Sequence, residues 1–232
     1  MCPCPPATTS LTRRRFLAAG SGVLLAGLLG FSPSEADLDA SRLRDSMQRL
    51  YGGRGLEALE AWLALLRQLE GAPLDAQLRE VNQFFNRRIR WVDDIHAWGD
   101  EDYWATPLEA LGNGQGDCED YSIAKYITLK QLRVPGDRLR MIYVRARIGR
   151  SSITQAHMVL GYYATPGAEP LILDNLVPSI TPAGQRVDLD PVFSFNSQGL
   201  WVGDSSASRA DPVARLSRWR SVLARMEEQG FL

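Results

Sequence analysis

Three residues able to run thiol chemistry occur in one order along this chain: Cys118, His157 and Asp174. Cys118 follows a glycine-rich run, GNGQG, and sits within Asp117-Cys118-Glu119-Asp120, after which a helical pattern begins. Asp117 suits an N-cap, so Cys118 falls in the first helical turn. There the free backbone N–H groups and the helix dipole favour a thiolate. A thiol nucleophile needs a base, and the base needs an orienting group. The chain has two histidines, His96 and His157. His157 falls on a predicted strand over residues 156–163, and Asp174 ends another over 171–174, with Thr165-Pro166-Gly167-Ala168 between them as hairpin material. Folding the two strands about Pro166 sets positions 157 and 174 nearly opposite. Cross-strand Cβ atoms are then about 5 Å apart, within reach of an imidazole–carboxylate hydrogen bond. His96 lies in a loop with no comparable partner. Cysteine, then histidine, then a third polar group is the logic of papain-like enzymes. The plain alternatives are a buried cysteine beside a capping aspartate, and a core histidine satisfied by a turn aspartate.

The acids next to Cys118 need their own account. Like charge raises a thiol's pKa, so Asp117, Glu119 and Asp120 work against the helix terminus. Either they cap the helix and pair with nearby arginines, or they hold a divalent cation. Oxygen donors of this kind suit Ca2+. The spacing is not that of an EF-hand, whose D-x-D-x-D-G loop and distal glutamate are missing.

These residues must be positioned by the elements around them. Residues 38–69 read as helical, interrupted at Gly52-Gly53, with Leu56, Leu59, Leu63 and Leu66 at helical spacing. Gly71-Ala72-Pro73 stops that run, and a helix from Asp75 carries Leu78, Val81, Phe84 and Phe85 inward. Residues 90–111 are loop-rich, with Trp91, Trp98 and Trp104 among the acids Asp93, Asp94, Asp100, Glu101 and Asp102. That segment either lines a cleft before Cys118 or is a surface loop pinned by its aromatics. In the helix after Cys118, Ile123, Ala124 and Ile127 lie near one face and Lys125 elsewhere. Residues 139–148 alternate like a strand with a wet face carrying Arg140, Arg145 and Arg147, and residues 149–152 turn the chain. A last helix opens at Asp211-Pro212, with Val213, Leu216, Val222, Leu223 and Met226 on one side and its arginines on a solvated face.

A length of 232 residues with 45% apolar and 23% charged residues suits a soluble globular protein of one domain, or of one domain with appendages, and a net charge of −1 gives no nucleic-acid footprint. Residues 1–36 are a different kind of sequence. Arg13-Arg14-Arg15-Phe16-Leu17 precedes a short apolar run over 17–31, and Ser34-Glu35-Ala36 offers a cleavage site. This reads as a twin-arginine-like export signal, which leaves residues 37–232 as the mature domain. The apolar run falls short of the roughly 20 residues needed to span a bilayer. Cys2 and Cys4 leave with such a signal, so Cys118 becomes the lone thiol of a chain in an oxidising compartment.

Several blocks resemble the bacterial transglutaminase-like cysteine proteinases of the LapG type. They are Asp102-Tyr103-Trp104-Ala105-Thr106-Pro107, Gly116-Asp117-Cys118-Glu119-Asp120-Tyr121, Ala124-Lys125-Tyr126, Ala156-His157-Met158-Val159-Leu160 and Leu173-Asp174-Asn175, with Phe195-Asn196 and Gly199-Leu200-Trp201 further on. The resemblance implies an α+β, papain-like/transglutaminase-like fold with helices packed on an antiparallel sheet. It implies Cys118 as nucleophile, His157 as general base and acid, and Asp174 as orienter. It also implies calcium dependence, with Asp117, Glu119, Asp120 and Asp102 as metal ligands. The expected activity is periplasmic cleavage of the N-terminal region of a large surface adhesin, releasing cells from a biofilm. The expected regulator is an inner-membrane cyclic di-GMP receptor that sequesters the enzyme. The oxyanion donors stay open, with the Cys118 N–H and a side chain from the Tyr103–Trp104 region as candidates. Two other outcomes share the fold: an acyl transferase of the transglutaminase type, and a non-catalytic binding module.

Overall fold

The thiol, the imidazole and the carboxylate come from three neighbouring elements, and the fold is best followed toward them. The computed structural model describes residues 38–231 apart from 148, 150–152, 204–210 and 213–215. The segment read as an export signal, most of the 149–152 turn and Val213 lie outside the described residues. The described residues belong to one compact unit, Glu35–Leu232.

Helix α1 (Ala40–Leu69) starts at Asp39, whose carboxylate accepts from the amides of Ser41 and Arg42, and it kinks at Gly52, where φ is 64° and ψ −155°. That positive φ is open to glycine at little steric cost. Helix α2 (Leu74–Arg88) buries Leu78, Val81 and Phe85, while Phe84 is only partly covered. The segment read as loop-rich holds short elements. These are strand β1 (Arg90–Trp91), helix α3 (Asp94–Ala97) and helix α4 (Pro107–Asn113). Helix α4 begins with a capping box in which Thr106 and Glu109 satisfy each other's backbone amides. Strand β2 (Gln115–Gly116) pairs in parallel with β1 and leads into helix α5 (Cys118–Gln131).

Every residue of α5 from Asp120 to Leu129 is buried. A helix covered all round belongs to a core. Helices α2 and α4 pack on it from one side and the sheet from the other. Lys125, expected away from the apolar face, is therefore buried too, with its ammonium 5.6 Å from the Tyr121 ring centre.

Among the described residues the main sheet has six strands in the order β6-β5-β4-β3-β7-β8. They are β3 (Leu139–Arg147), β4 (Thr154–Tyr162), β5 (Leu171–Leu173), β6 (Thr181–Pro182), β7 (Leu189–Phe195) and β8 (Leu200–Val202). All pairings are antiparallel. Met141, Met158, Leu160 and Leu173 join the helices in the main core. The other face is not wet as expected: Ile142, Val144, Ala146, Val159 and Ile172 form a second buried cluster. Arg140 is buried on that face, whereas Arg145 and Arg147 are exposed.

Helix α6 (Ser217–Gln229) buries Trp219, Val222 and Met226. Two of its arginines make ion pairs, Arg218 while still half-exposed and Arg225 largely covered. Arg218 pairs with Asp102 at 2.7 Å, and Arg225 pairs with Glu109 at 3.1 Å while donating to the Trp104 carbonyl. The Asp39 amide donates to the Gly230 carbonyl at 2.9 Å, and Phe231 packs on Trp62 of α1 at 5.7 Å. No helix of the described residues is long and apolar enough to cross a membrane.

The Thr106 hydroxyl caps α4 and donates to Gln229 Oε1 at 2.6 Å, fully buried. Thr106→Ala is expected to lower unfolding free energy by about 1–2 kcal/mol, read from urea denaturation.

Candidate active site

The β1–β2 ladder sets Gly116 opposite Trp91 and delivers the chain to Asp117, whose side chain accepts from the Glu119 amide at 3.2 Å as the N-cap of α5. Gly116 has to be glycine because a Cβ there would run into the Asp120 carboxylate. Cys118 opens the first turn, as read from the sequence. Its sulfur donates to Glu119 Oε2 at 2.7 Å and receives the Met158 amide. Ser122, one turn on, donates to the Met158 carbonyl at 3.1 Å. Both peptide groups of Met158 thus face α5, which seats the sulfur one residue along β4 from His157. The thiol is not lowered as expected. Burial pushes it well above its ordinary value, and the Glu119 and Asp117 carboxylates push it further. A surface helix terminus, worth about 0.3–1 kcal/mol per neighbouring charge, does not offset these.

His157 and Asp174 do meet, at 2.9 Å between Nε2 and Oδ1, with both residues at most 2% exposed. The register places Leu160 opposite Leu173, so one step on Asp174 faces Val159. His157 and Asp174 are therefore diagonal neighbours, not opposite ones. An offset of two residues keeps the same face, which is why the contact survives the shift. Asp174 Oδ1 also accepts the Leu176 amide at 3.0 Å, and Oδ2 accepts Arg186 Nη2 at 2.8 Å. Burial alone would raise the Asp174 carboxyl. The His157 hydrogen bond and charge, then the Leu176 amide and Arg186, bring it down to about 2. With Asp174 ionised, Nε2 of His157 carries the proton, and Nδ1 is the nitrogen left for proton exchange. His96, by contrast, has a side chain 74% exposed and only Asp93, 3.9 Å away.

Arg186 and Lys125 escaped the sequence reading. Arg186 lies in an irregular stretch with no spacing to mark it, yet it clamps both Asp174 and Asp188. Lys125 is brought down to about 7 by burial, against the pull of Asp174.

The acids form two overlapping groups. Carboxylate oxygens of Asp94, Asp117 and Asp120 lie within 4.8 Å of one another, as do ligand atoms of Asp117, Cys118 and Glu119. Asp120 accepts the Ala105 amide at 2.7 Å and Trp98 Nε1 at 3.1 Å. Asp94 accepts the Tyr103 amide at 2.7 Å through Oδ2, while its buried Oδ1 has no partner. Burial raises Asp94 to about 6 and Asp120 to about 8, with neighbouring carboxylates adding to it. Asp117 is pushed the same way by burial and then by Glu119, Asp120 and Asp94. An orphaned buried oxygen beside mutually repelling carboxylates fits a hard divalent cation. Asp94 was legible only as one acid among several in its loop. Asp102 stands outside both groups: it pairs with Arg218 and accepts Trp104 Nε1 at 3.1 Å, although it feels the charge of Glu119. Trp104 is thus committed to Asp102, and the Tyr103 hydroxyl to Glu109 at 3.1 Å. Of the two candidate oxyanion donors, the Cys118 N–H remains.

The family model described as bacterial transglutaminase-like cysteine proteinase matches residues 68–186, a span that contains Cys118, His157, Asp174 and Arg186. The chain belongs to this family. The proteinase is similar to solved structures of Legionella pneumophila LapG. The EGTA-treated form is 38% identical, with a TM-score of 0.71, covering 82% of this chain and 99% of that one. The calcium-bound form is 38% identical, with a TM-score of 0.67, covering 80% and 98%. A further LapG structure is 39% identical at a TM-score of 0.69. No curated protein sequence matches the chain. The fold is that of a transglutaminase-like cysteine protease.

Because Asp174 ionises far below its unfolded value of 3.8, its pairing stabilises the proteinase above about pH 4 and is lost as pH falls toward 2. A displacement of that size corresponds to about 2 kcal/mol at neutral pH. Urea midpoints of the parent protein and Asp174→Asn, measured between pH 5 and pH 2, are expected to converge as the pH drops.

Proposed function

We propose that this chain is a calcium-dependent cysteine endopeptidase working through Cys118, His157 and Asp174. The observation that carries the reading is the seating of the Cys118 sulfur on the amide of Met158, the residue that follows His157, whose buried imidazole is held by Asp174. His157 Nδ1 takes the thiol proton, and the sulfur attacks the scissile carbonyl. Asp174 holds the Nε2–H and stabilises the imidazolium, while Arg186 keeps the Asp174 carboxylate in place. The Cys118 N–H, at the start of α5, faces the developing oxyanion. His157 returns the proton to the leaving amine, and water resolves the thioester.

Asp94, Asp117, Asp120 and Glu119 are the residues that would hold the ion. When bound, calcium supplies the positive charge that offsets the carboxylates around the sulfur. A calcium-bound relative at 38% identity supports this. The resemblance to LapG-type proteinases and the arginine-led segment before residue 37 support a periplasmic enzyme exported by a twin-arginine-like signal. The same resemblance supports its substrate, the N-terminal region of a large surface adhesin, and its restraint by an inner-membrane cyclic di-GMP receptor.

Cys118→Ala is expected to abolish cleavage of an adhesin N-terminal fragment, a loss of at least 1,000-fold on the order of other nucleophile deletions, while the circular dichroism spectrum stays unchanged. Persisting cleavage would sink the assignment. EGTA is expected to stop the wild-type reaction and to lower the melting temperature in calorimetry, with both restored by calcium and not by magnesium. An unmoved melting temperature would remove calcium from the site.

A further inference from the structure

The sheet face turned away from α5 carries a cavity of about 660 Å3. Its floor is apolar, made by Ile142, Val144, Val159 and Ile172. Two arginines stand over it, Arg140 and Arg186. They are only 4% and 6% exposed, and each has a nitrogen with no hydrogen-bond partner, Nε of Arg140 and Nη1 of Arg186. Two buried, unmet guanidinium donors in one cavity are unusual, because buried polar groups are nearly always paired.

The two cations differ in one respect. Arg186 is neutralised by Asp174 and Asp188. Arg140 meets no carboxylate among the described residues. Nη2 donates to the Pro166 carbonyl at 3.3 Å, Tyr163 accepts a hydrogen bond from the guanidinium, and the guanidinium lies 4.5 Å from the Tyr163 ring and 4.0 Å from the Trp201 ring. Aromatic faces return to a cation only part of the hydration it loses on burial. Burying an unpaired charge costs more than that. Glu169, also at the cavity, is exposed and holds the Gly184 amide at 2.6 Å. The cavity has the volume of a small-molecule site, an apolar floor and few polar groups.

We propose that this cavity binds a carboxylate carried on an apolar body, with the carboxylate on Arg140 and the body against the sheet. With rings over the guanidinium, the ligand meets its edge, where a planar carboxylate matches the N–H fork. Arg186 Nη1 offers a second donor from the same cavity. The site shares Arg186 with the Asp174 network and shares no residue with the acid cluster at Cys118. A free fatty acid and the C-terminus of an apolar peptide both present this chemistry.

Isothermal titration calorimetry on the full chain tests it with four probes. These are octanoate, its uncharged twin octanol, a leucine–valine tetrapeptide with a free C-terminal carboxylate, and the same peptide as its amide. At least one acid is expected to bind one-to-one, tenfold or more tighter than its uncharged twin. The tighter of the two acids identifies the source. Arg140→Met is expected to erase that preference. Failure of both acids to bind at millimolar concentration overturns the proposal, as does equal binding of acid and twin, or a preference that survives Arg140→Met. Should Arg140→Met not fold, Leu189→Trp fills the cavity from its wall with Arg140 intact. Binding lost in that variant supports the site, and binding unchanged overturns it.

Discussion

Acid packed against acid at the start of a buried helix is the constraint on which this structure turns. Asp94, Asp117, Glu119 and Asp120 converge where α5 begins, and burial disfavours the charged form of each of the three aspartates. What holds them together is a set of donors aimed from outside the helix. The Tyr103 and Ala105 amides and the Trp98 indole reach Asp94 and Asp120 from the loop before α4. That loop is in turn fixed by α6. Arg225 grips Glu109 and the Trp104 carbonyl and lies 4.7 Å from the Tyr103 ring. The last helix is thus part of what shapes the acid cluster, although it shares no residue with it.

A second centre gathers at Asp174. One carboxylate serves an imidazole, an amide and a guanidinium, and its low pKa records how well they compensate its burial. The two centres have opposite electrostatic character. Around Cys118 the charges repel and the sulfur is held as a thiol. Around Asp174 they are paired. Met158 is the peptide between them, with its N–H on the sulfur and its side chain in the main core.

The sequence was informative where a local rule governs. Asp117 as N-cap, the break at Gly52, and His157 and Asp174 on adjacent strands all rest on capping, glycine and hairpin chemistry, which act over a few residues. It misled where burial is decided by distant partners. Lys125 and Arg140 look like surface charges by their local pattern, and only the packing of α2, α4 and the sheet's second cluster encloses them. Arg186 had no pattern to betray it, because its partner Asp174 is met through an irregular loop. For the thiol the sequence sets the helix terminus against the adjoining carboxylates, and burial, which no local pattern reveals, decides the balance upward.

The contact between Asp39 and Gly230 bears on how the molecule is assembled. The first helix of the core is closed by groups at the far side of α6, through a backbone hydrogen bond and the Phe231–Trp62 packing. Pairing elements so distant along the chain gives a high contact order, and the loop-closure entropy must be met before those contacts repay it. A ribosome-bound nascent chain can therefore form α1 and pack it on α4, while the Asp39–Gly230 bond and the Phe231–Trp62 packing wait until α6 has emerged. Synthesis and completion of this core are therefore separate events in time, the last of its contacts around Trp62 being made only after α6 is synthesised.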